Sequence, residues 1–186
     1  MIVLFGAAGS GKSLQGQKLA DKYGWRWLSV GQLLREQENP ELDKIMKTGG
    51  LVDDSFVVNM MHEAIVATES DGMNAILDGY PRDQWQANWV VEHGDSKKID
   101  GAIILKVSEE ELWRRLEERG RADDTRESIE QRWKIFKTTI ADMRKILESD
   151  GVEFKEVDGE GDKDEITRRI EQVLTEWQLI EPVVEE

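Results

Sequence analysis

The residues best suited to chemistry directly follow the first apolar run of the sequence. Gly6, Gly11, Lys12 and Ser13 fill the pattern Gly-x-x-x-x-Gly-Lys-Ser/Thr. Small residues let such a loop curl until several backbone N–H groups point at one phosphate, and the next helix adds its positive N-terminal end. The lysine can reach the β- and γ-phosphates, and the serine hydroxyl can ligate Mg²⁺. This spacing, between a strand and a helix, predicts a phosphate-binding loop rather than a chance glycine-rich turn.

A carboxylate and an arginine follow a second apolar run. Asp78 ends the run at residues 75–78, and Arg82 comes four residues later, after Pro81. A carboxylate at this position can hold the water ligands of Mg²⁺ opposite the phosphate loop, although a turn or helix-capping aspartate is the alternative. The Arg82 guanidinium is suited to bidentate phosphate binding.

Six arginines lie around one short loop of an otherwise acidic chain: Arg114, Arg115, Arg119, Arg121, Arg126 and Arg132. Charge runs on helices are usually solvated faces, and we expect this of Arg114 and Arg126. Arg119 and Arg121 flank a glycine at a predicted helix end, and Arg132 lies in the first turns of the next helix. The pattern therefore predicts that three guanidiniums converge above the phosphate loop.

The sequence contains no arrangement typical of nucleophilic catalysis. It has no cysteine, and its two histidines, His62 and His93, are isolated from one another. This absence favours phosphoryl transfer to an acceptor that is itself a phosphate, because such an acceptor is already anionic and needs no strong general base. Catalysis would then depend on alignment and charge neutralisation.

Composition limits the class of protein. A chain of 186 residues fits one domain, and its net charge of −14 disfavours a nucleic-acid or anionic membrane partner. Without cysteine there are no disulfides, which is compatible with the cytoplasm. No cationic segment precedes the first apolar run, and no apolar run approaches the roughly 20 residues that span a bilayer. We therefore expect a cytoplasmic protein.

Strands and helices alternate along the chain. Strands are predicted at residues 2–5, 25–29, 74–77, 101–107 and 152–157. Intervening helical patterns predict a parallel sheet with helices on both faces, an α/β fold whose ligand lies beyond the carboxyl ends of the strands. Residues 6–13, 29–31, 78–82 and Ser108 would then surround one crevice. Ser108 and Glu111 also predict a capping box at the start of a helix.

With these segments, the chain resembles the adenylate kinase family of nucleoside monophosphate kinases from Met1 to about Trp177. The resemblance rests on the motifs at residues 6–12, 28–35, 49–52, 77–82 with Gln86 and Ala87, and 119–124 with Arg132. It implies a three-layer P-loop NTPase fold with a five-stranded parallel sheet and one nucleotide-kinase domain, residues 1–178. It also implies a helical monophosphate-binding insertion at 30–59, a short lid at 119–126 with no room for a zinc-binding hairpin, and an acidic tail at 179–186.

The resemblance also implies roles for individual residues. It assigns the donor ATP to Gly9, Ser10, Gly11, Lys12, Ser13, Leu14, Arg119 and Gly159. It assigns the acceptor AMP to Val30, Arg35, Gly50, Leu51, Val52, Gly79, Tyr80, Pro81, Arg82, Gln86, Arg121 and Arg132. It assigns catalysis to Lys12, Arg82, Arg119, Arg121 and Arg132, and Mg²⁺ to Ser13 and, through water, Asp78.

The activity that the resemblance implies is reversible, Mg²⁺-dependent transfer from ATP to AMP giving two ADP, by a monomer without zinc. Ser13-Leu14 replaces the family's usual Gly-Thr, and Val30 replaces a threonine near the acceptor base. Gln86 keeps the residue that adenylate kinases favour for reading the base, and it therefore favours AMP. The alternatives are a UMP/CMP or broad-specificity monophosphate kinase, a small-metabolite kinase, and a non-catalytic nucleotide sensor of the same fold.

Overall fold

The computed structural model describes residues 1–47, 52–120 and 125–182. The strands in this part of the chain are β1 (Ile2–Phe5), β2 (Arg26–Ser29), β3 (Ala75–Asp78), β4 (Gly101–Lys106) and β5 (Phe154–Asp158). The α-helices are α1 (Lys12–Tyr23), α2 (Val30–Glu36), α3 (Pro40–Lys47), α4 (Asp54–Ser70), α5 (Gln84–Glu92), α6 (Glu109–Arg119), α7 (Arg126–Ser149) and α8 (Lys163–Glu176). A short 3-10 helix covers Asp95–Lys98.

The five strands form one parallel sheet in the order β2-β3-β1-β4-β5. The predicted fold class is thereby confirmed, and each predicted strand matches an observed one within two residues at either end. Asp78 pairs in register with Leu4 on one side and with Ser29 on the other. The carboxyl ends of the three strands therefore share one edge, where the phosphate loop begins.

Helices cover both faces of the sheet. One face packs on α2, α4, α5 and α7, through side chains such as Val3, Leu77 and Ile104. The opposite face packs on α1 and α8, through Ile2, Ile76 and their neighbours. Burial on both faces explains why the strands read as nearly continuous apolar runs, as expected for a parallel sheet.

One predicted cap is wrong. The Ser108 side chain makes no capping hydrogen bond at the start of α6. Glu111, its expected partner, instead accepts hydrogen bonds from Arg114 and Arg115, each at 2.7 Å. Arg114 binds both carboxylate oxygens, and such bidentate pairing with a guanidinium adds geometric specificity and energy, so the carboxylate turns towards the arginines. The backbone N–H of Ser108 donates to Glu160 Oε1 at 2.8 Å.

The two predicted subdomains fall partly outside the described residues. The proposed insertion at 30–59 contains α2, α3 and the first turns of α4. Gly50 and Leu51 lie outside the described part, as do residues 121–124 of the proposed lid, including Arg121, so both boundaries stay predictions. No helix within the described ranges is long and apolar enough to cross a membrane.

Candidate active site

The phosphate loop joins β1 to α1. Gly9 and Gly11 have φ angles of +92° and +90°, in the left-handed region that favours glycine. A Cβ on Gly9 would also lie 2.9 Å from the carbonyl oxygen of Leu112 on α6. Trp133 Nε1, on α7, donates to the carbonyl oxygen of Ala8 at 2.8 Å. The loop is therefore held from two helices, and it ends at the N-terminus of α1, where backbone N–H groups favour anions.

Lys12 lies among cationic side chains. Burial lowers the pKa of its ammonium group, the Asp78 carboxylate opposes this, and Arg82, Arg119 and Arg132 lower the pKa further. These three arginines come from a strand end, the end of α6 and the second turn of α7, yet their charges act on one ammonium group. A surplus of positive charge gathered at a phosphate loop is suited to a polyanionic ligand.

Arg82 extends this cluster on the other side. Burial lowers the pKa of its guanidinium, Asp78 raises it, and Arg132 and Arg35 lower it. Its Nε donates to the carbonyl oxygen of Gly79 at 2.8 Å, which holds the side chain beside the end of β3. The structure therefore brings Arg82, Arg119 and Arg132 together around Lys12, with Arg35 beside Arg82. Of the predicted arginines, only Arg121 lies outside the described residues.

Ser13 and Asp78 form the candidate metal site. The Ser13 hydroxyl donates to Asp78 Oδ2 at 2.5 Å. Asp78 is buried, and its Oδ1 has no hydrogen-bond partner among the described residues. A buried carboxylate oxygen without a partner is suited to a hydrated Mg²⁺ that arrives with a nucleotide. No cluster of three or more metal-binding side chains occurs in the described ranges.

Arg115 is a site residue that the sequence reasoning left without a role. Its guanidinium donates to the carbonyl oxygens of Ser10 at 3.3 Å and Gly159 at 2.9 Å, and its Nε pairs with Glu111. It thereby links the phosphate loop to the loop after β5. A signal was available, because Arg115 lies four residues before Arg119 and so shares its face of α6.

Gly159 occupies a tight position beside β4. Its N–H donates to the carbonyl oxygen of Lys106 at 2.8 Å. A Cβ at this position would lie 2.7 Å from a methyl carbon of Val107, so a larger residue would push the loop away from the strand. The predicted donor-side loop is therefore adjacent to the phosphate loop, with Arg115 between them.

The predicted acceptor residues differ in what they expose. Gln86 is buried next to Arg82, and its carbonyl oxygen accepts from the Arg82 backbone N–H at 2.9 Å. Val30 and Tyr80 are fully buried in the core, so their side chains pack against protein. Two other predicted acceptor residues, Val52 and Pro81, are also buried, and Gly79 has a φ of +76°. On the predicted donor side, the Leu14 side chain is 43% exposed.

Comparisons with known proteins agree on one family. A family model described as adenylate kinase matches residues 4–152. An adenylate kinase of Maricaulis maris is 36% identical over 189 residues, covering 94% of this chain and 98% of that protein. An adenylate kinase of Mycobacterium sp. (strain MCS) is 37% identical, with 93% and 98% covered. One from Agrobacterium fabrum is 35% identical, with 93% and 96% covered.

Proposed function

This chain belongs to the adenylate kinase family, and we propose that it transfers the γ-phosphoryl group of ATP to AMP, reversibly, giving two molecules of ADP. The observation that carries the proposal is the convergence of Arg82, Arg119 and Arg132 on Lys12 at the end of the phosphate loop. Two phosphate tails brought head to head repel each other, and fixed cations from separate elements can offset that repulsion.

The cluster supports catalysis by charge and alignment. Arg82, Arg119 and Arg132 lower the pKa of the Lys12 ammonium, and Arg132 lowers that of the Arg82 guanidinium, so anionic phosphates bound here would offset the repulsion between these cations. Arg132 is half-buried, and its Nε and Nη2 donate to the backbone and side-chain oxygens of Ser128, which orient the guanidinium. Side chains that are already oriented lose little freedom as charge develops on the transferring group.

Ser13 and Asp78 support Mg²⁺ as the cofactor. We propose that the Ser13 hydroxyl ligates the ion and that Asp78 Oδ1 accepts from one of its water ligands. When bound, the ion would neutralise charge on the β- and γ-phosphate oxygens of the donor. The Asp78 carboxylate lies between two cations, since its charge raises the pKa of the Lys12 ammonium and that of the Arg82 guanidinium.

The two nucleotides would occupy opposite sides of this cluster. The Arg115 and Gly159 contacts support a donor site between the phosphate loop and the loop after β5. Arg35, Arg82 and Gln86 support an acceptor site beyond β3.

We also propose that the chain acts as a monomer in the cytoplasm. We propose further that the predicted lid and insertion close over the bound nucleotides. Light scattering of the purified protein would test the monomer.

The decisive experiment is an acceptor panel. Purified protein with Mg²⁺-ATP is given AMP, CMP, UMP or GMP at equal concentration, and nucleoside diphosphate formation is measured. The proposal predicts clear preference for AMP. Preference for a pyrimidine would instead indicate a UMP/CMP kinase, and similar rates with all four would indicate a broad-specificity kinase. Tight binding of ATP and AMP without ADP formation would indicate a nucleotide sensor.

A further inference from the structure

The side-chain amide of Gln86 is held by partners from two other segments. Its Oε1 accepts from the backbone N–H of Arg82 at 2.9 Å, and its Nε2 donates to Asp54 Oδ1 at 2.7 Å. Gln86 is only 1% exposed, whereas Asp54 lies in the first turn of α4, 32 residues earlier in the chain. The amide therefore bridges the strand end after β3 and the start of α4.

These partners define which way the amide faces. A backbone N–H can only donate, and an ionised carboxylate can only accept. If the amide rotated by half a turn, its NH₂ group would face the Arg82 N–H, and its carbonyl oxygen would face the Asp54 carboxylate. Both hydrogen bonds would be lost inside a buried site, where unpaired polar groups are costly. Asp54 and Arg82 thus lock one orientation of the Gln86 amide.

The orientation matters because the Gln86 amide has a donor and an acceptor that these two partners do not use. An amide carries two N–H donors and a carbonyl oxygen with two lone pairs, and each described partner uses only one of these. In the proposed function, the remaining donor and acceptor read the edge of the acceptor base. Adenine presents an acceptor at N1 and a donor at its 6-amino group, whereas a 6-oxo purine presents the reverse pattern. An amide free to rotate can match either purine, and a locked amide matches one.

We propose that Asp54 is a positioning residue for acceptor specificity, which locks the Gln86 amide so that the site selects a 6-amino purine over a 6-oxo purine. The inference rests on the proposed function, in which Gln86 reads the acceptor base. It assigns a role to Asp54 that acts through Gln86 and requires no contact between Asp54 and the nucleotide.

The surroundings of Asp54 keep this lock in place. Asp53 caps α4 by accepting from the N–H of Phe56, so the helix start that carries Asp54 is itself held. Asp83 caps α5 and accepts from the Gln86 backbone N–H at 2.9 Å. Burial raises the pKa of Asp83, and the neighbouring Asp54 carboxylate raises it further, so the two acids flank the same glutamine.

The test compares AMP with inosine 5′-monophosphate (IMP), because these acceptors differ only along the N1–C6 edge of the base, where adenine has a bare N1 and a 6-amino group and hypoxanthine has an N1–H and a 6-oxo group. The values of kcat/KM for both are measured with Mg²⁺-ATP in the wild-type protein and in Asp54→Asn. An asparagine side chain can donate as well as accept, so at this position it no longer requires the NH₂ group of Gln86 to face it. The Arg82 backbone N–H is then the only one of the two described partners that fixes the orientation of the amide. We expect the AMP-to-IMP preference to fall about 10- to 100-fold, the range for one hydrogen bond to a charged group.

Two further variants separate positioning from a general loss of structure. Asp53→Asn removes the same charge one residue away and keeps a good helix cap, so the AMP-to-IMP preference of this variant should stay within about twofold of wild type. Asp54→Glu keeps a carboxylate and should recover most of the preference. A merely structural role for Asp54 would lower both kcat/KM values by the same factor and leave their ratio unchanged.

The outcomes distinguish this inference from the proposed function. A wild-type protein that fails to form ADP from AMP would overturn both. A wild-type protein that is active and selective, with an unchanged ratio in Asp54→Asn, would overturn the inference alone. If Asp54→Asn does not fold, as judged by circular dichroism, Asp54→Glu decides, because loss of selectivity with the carboxylate retained would contradict a lock that depends on charge.

Discussion

The hydroxyl of Ser13 donates to the carboxylate of Asp78 at 2.5 Å, joining the end of the phosphate loop to the end of β3 across 65 residues of sequence. The second carboxylate oxygen of Asp78 is buried without a partner in the described part of the chain. The pair is therefore well placed to hold a hydrated cation, and the hydroxyl must turn from the carboxylate if it is to ligate the ion.

We predict that Asp78→Asn raises the Mg²⁺ concentration needed for half-maximal activity and lowers kcat about 10²-fold, because the amide cannot replace the negative charge. A Mg²⁺ titration of initial rates measures both effects. Asp71→Asn is the matched control, since Asp71 is exposed and pairs with Arg26 far from the loop. An unchanged Mg²⁺ requirement in Asp78→Asn would contradict the metal assignment.

Arg132 should act mainly in the transition state. We expect Arg132→Ala to lower kcat by about 10²–10³, the range for losing one preorganised donor, with a smaller change in the KM for ATP. Arg126→Ala is the control on the same helix, because Arg126 is exposed and pairs with Glu130. Steady-state kinetics with both substrates varied gives the comparison. Equal losses in binding and turnover would show that Arg132 only holds the ground state.

Arg115 should affect the donor side selectively. Replacing it with glutamine removes the link between the carbonyl oxygens of Ser10 and Gly159, and we expect the KM for ATP to rise about 10-fold while the KM for AMP changes little. Arg114→Gln is the neighbouring control, because the Arg114 guanidinium is exposed and pairs with Glu111 and Glu118. A rise in the KM for AMP of the same size would contradict a donor-side role.

Glu111 predicts a pH dependence of stability. Hydrogen bonds from Arg114 and Arg115 lower the pKa of its carboxyl from 4.5 to about 2. A carboxylate whose pKa is lower in the folded state stabilises that state above its unfolded pKa, and the benefit is lost as pH falls through the folded pKa. The Tm difference between wild type and Glu111→Gln should therefore be constant above about pH 5 and shrink towards pH 2. A difference that does not change with pH would contradict the ion pairing.

Trp133 supports the phosphate loop through its indole N–H. Trp133→Phe leaves the carbonyl oxygen of Ala8 without this partner, and we expect the free energy of unfolding to fall by about 1–3 kcal/mol. Trp85→Phe is the control, because the Trp85 side chain is 49% exposed. Urea unfolding of both variants measures the difference, and equal stabilities would argue against the bond to the loop.

Local pattern predicted much of this molecule. The phosphate loop, the five parallel strands and Asp78 at the end of β3 follow from spacing and periodicity, which depend on neighbouring residues. The failed cap at Ser108 shows the limit. Its residue types suit a capping box, but the arginines that draw Glu111 away act through side-chain geometry that spacing does not describe.

The sequence by itself determined which groups could bind phosphate and which end of the sheet would carry them, because the alternation of strands and helices and the loop chemistry are encoded by short segments. Only the tertiary structure decided how those groups pair. Arg115 reaches Ser10 across 105 residues, and Asp54 reaches Gln86 across 32. Such pairs depend on how separate helices and strands pack, and many side chains of the same type compete for each partner until that packing is formed.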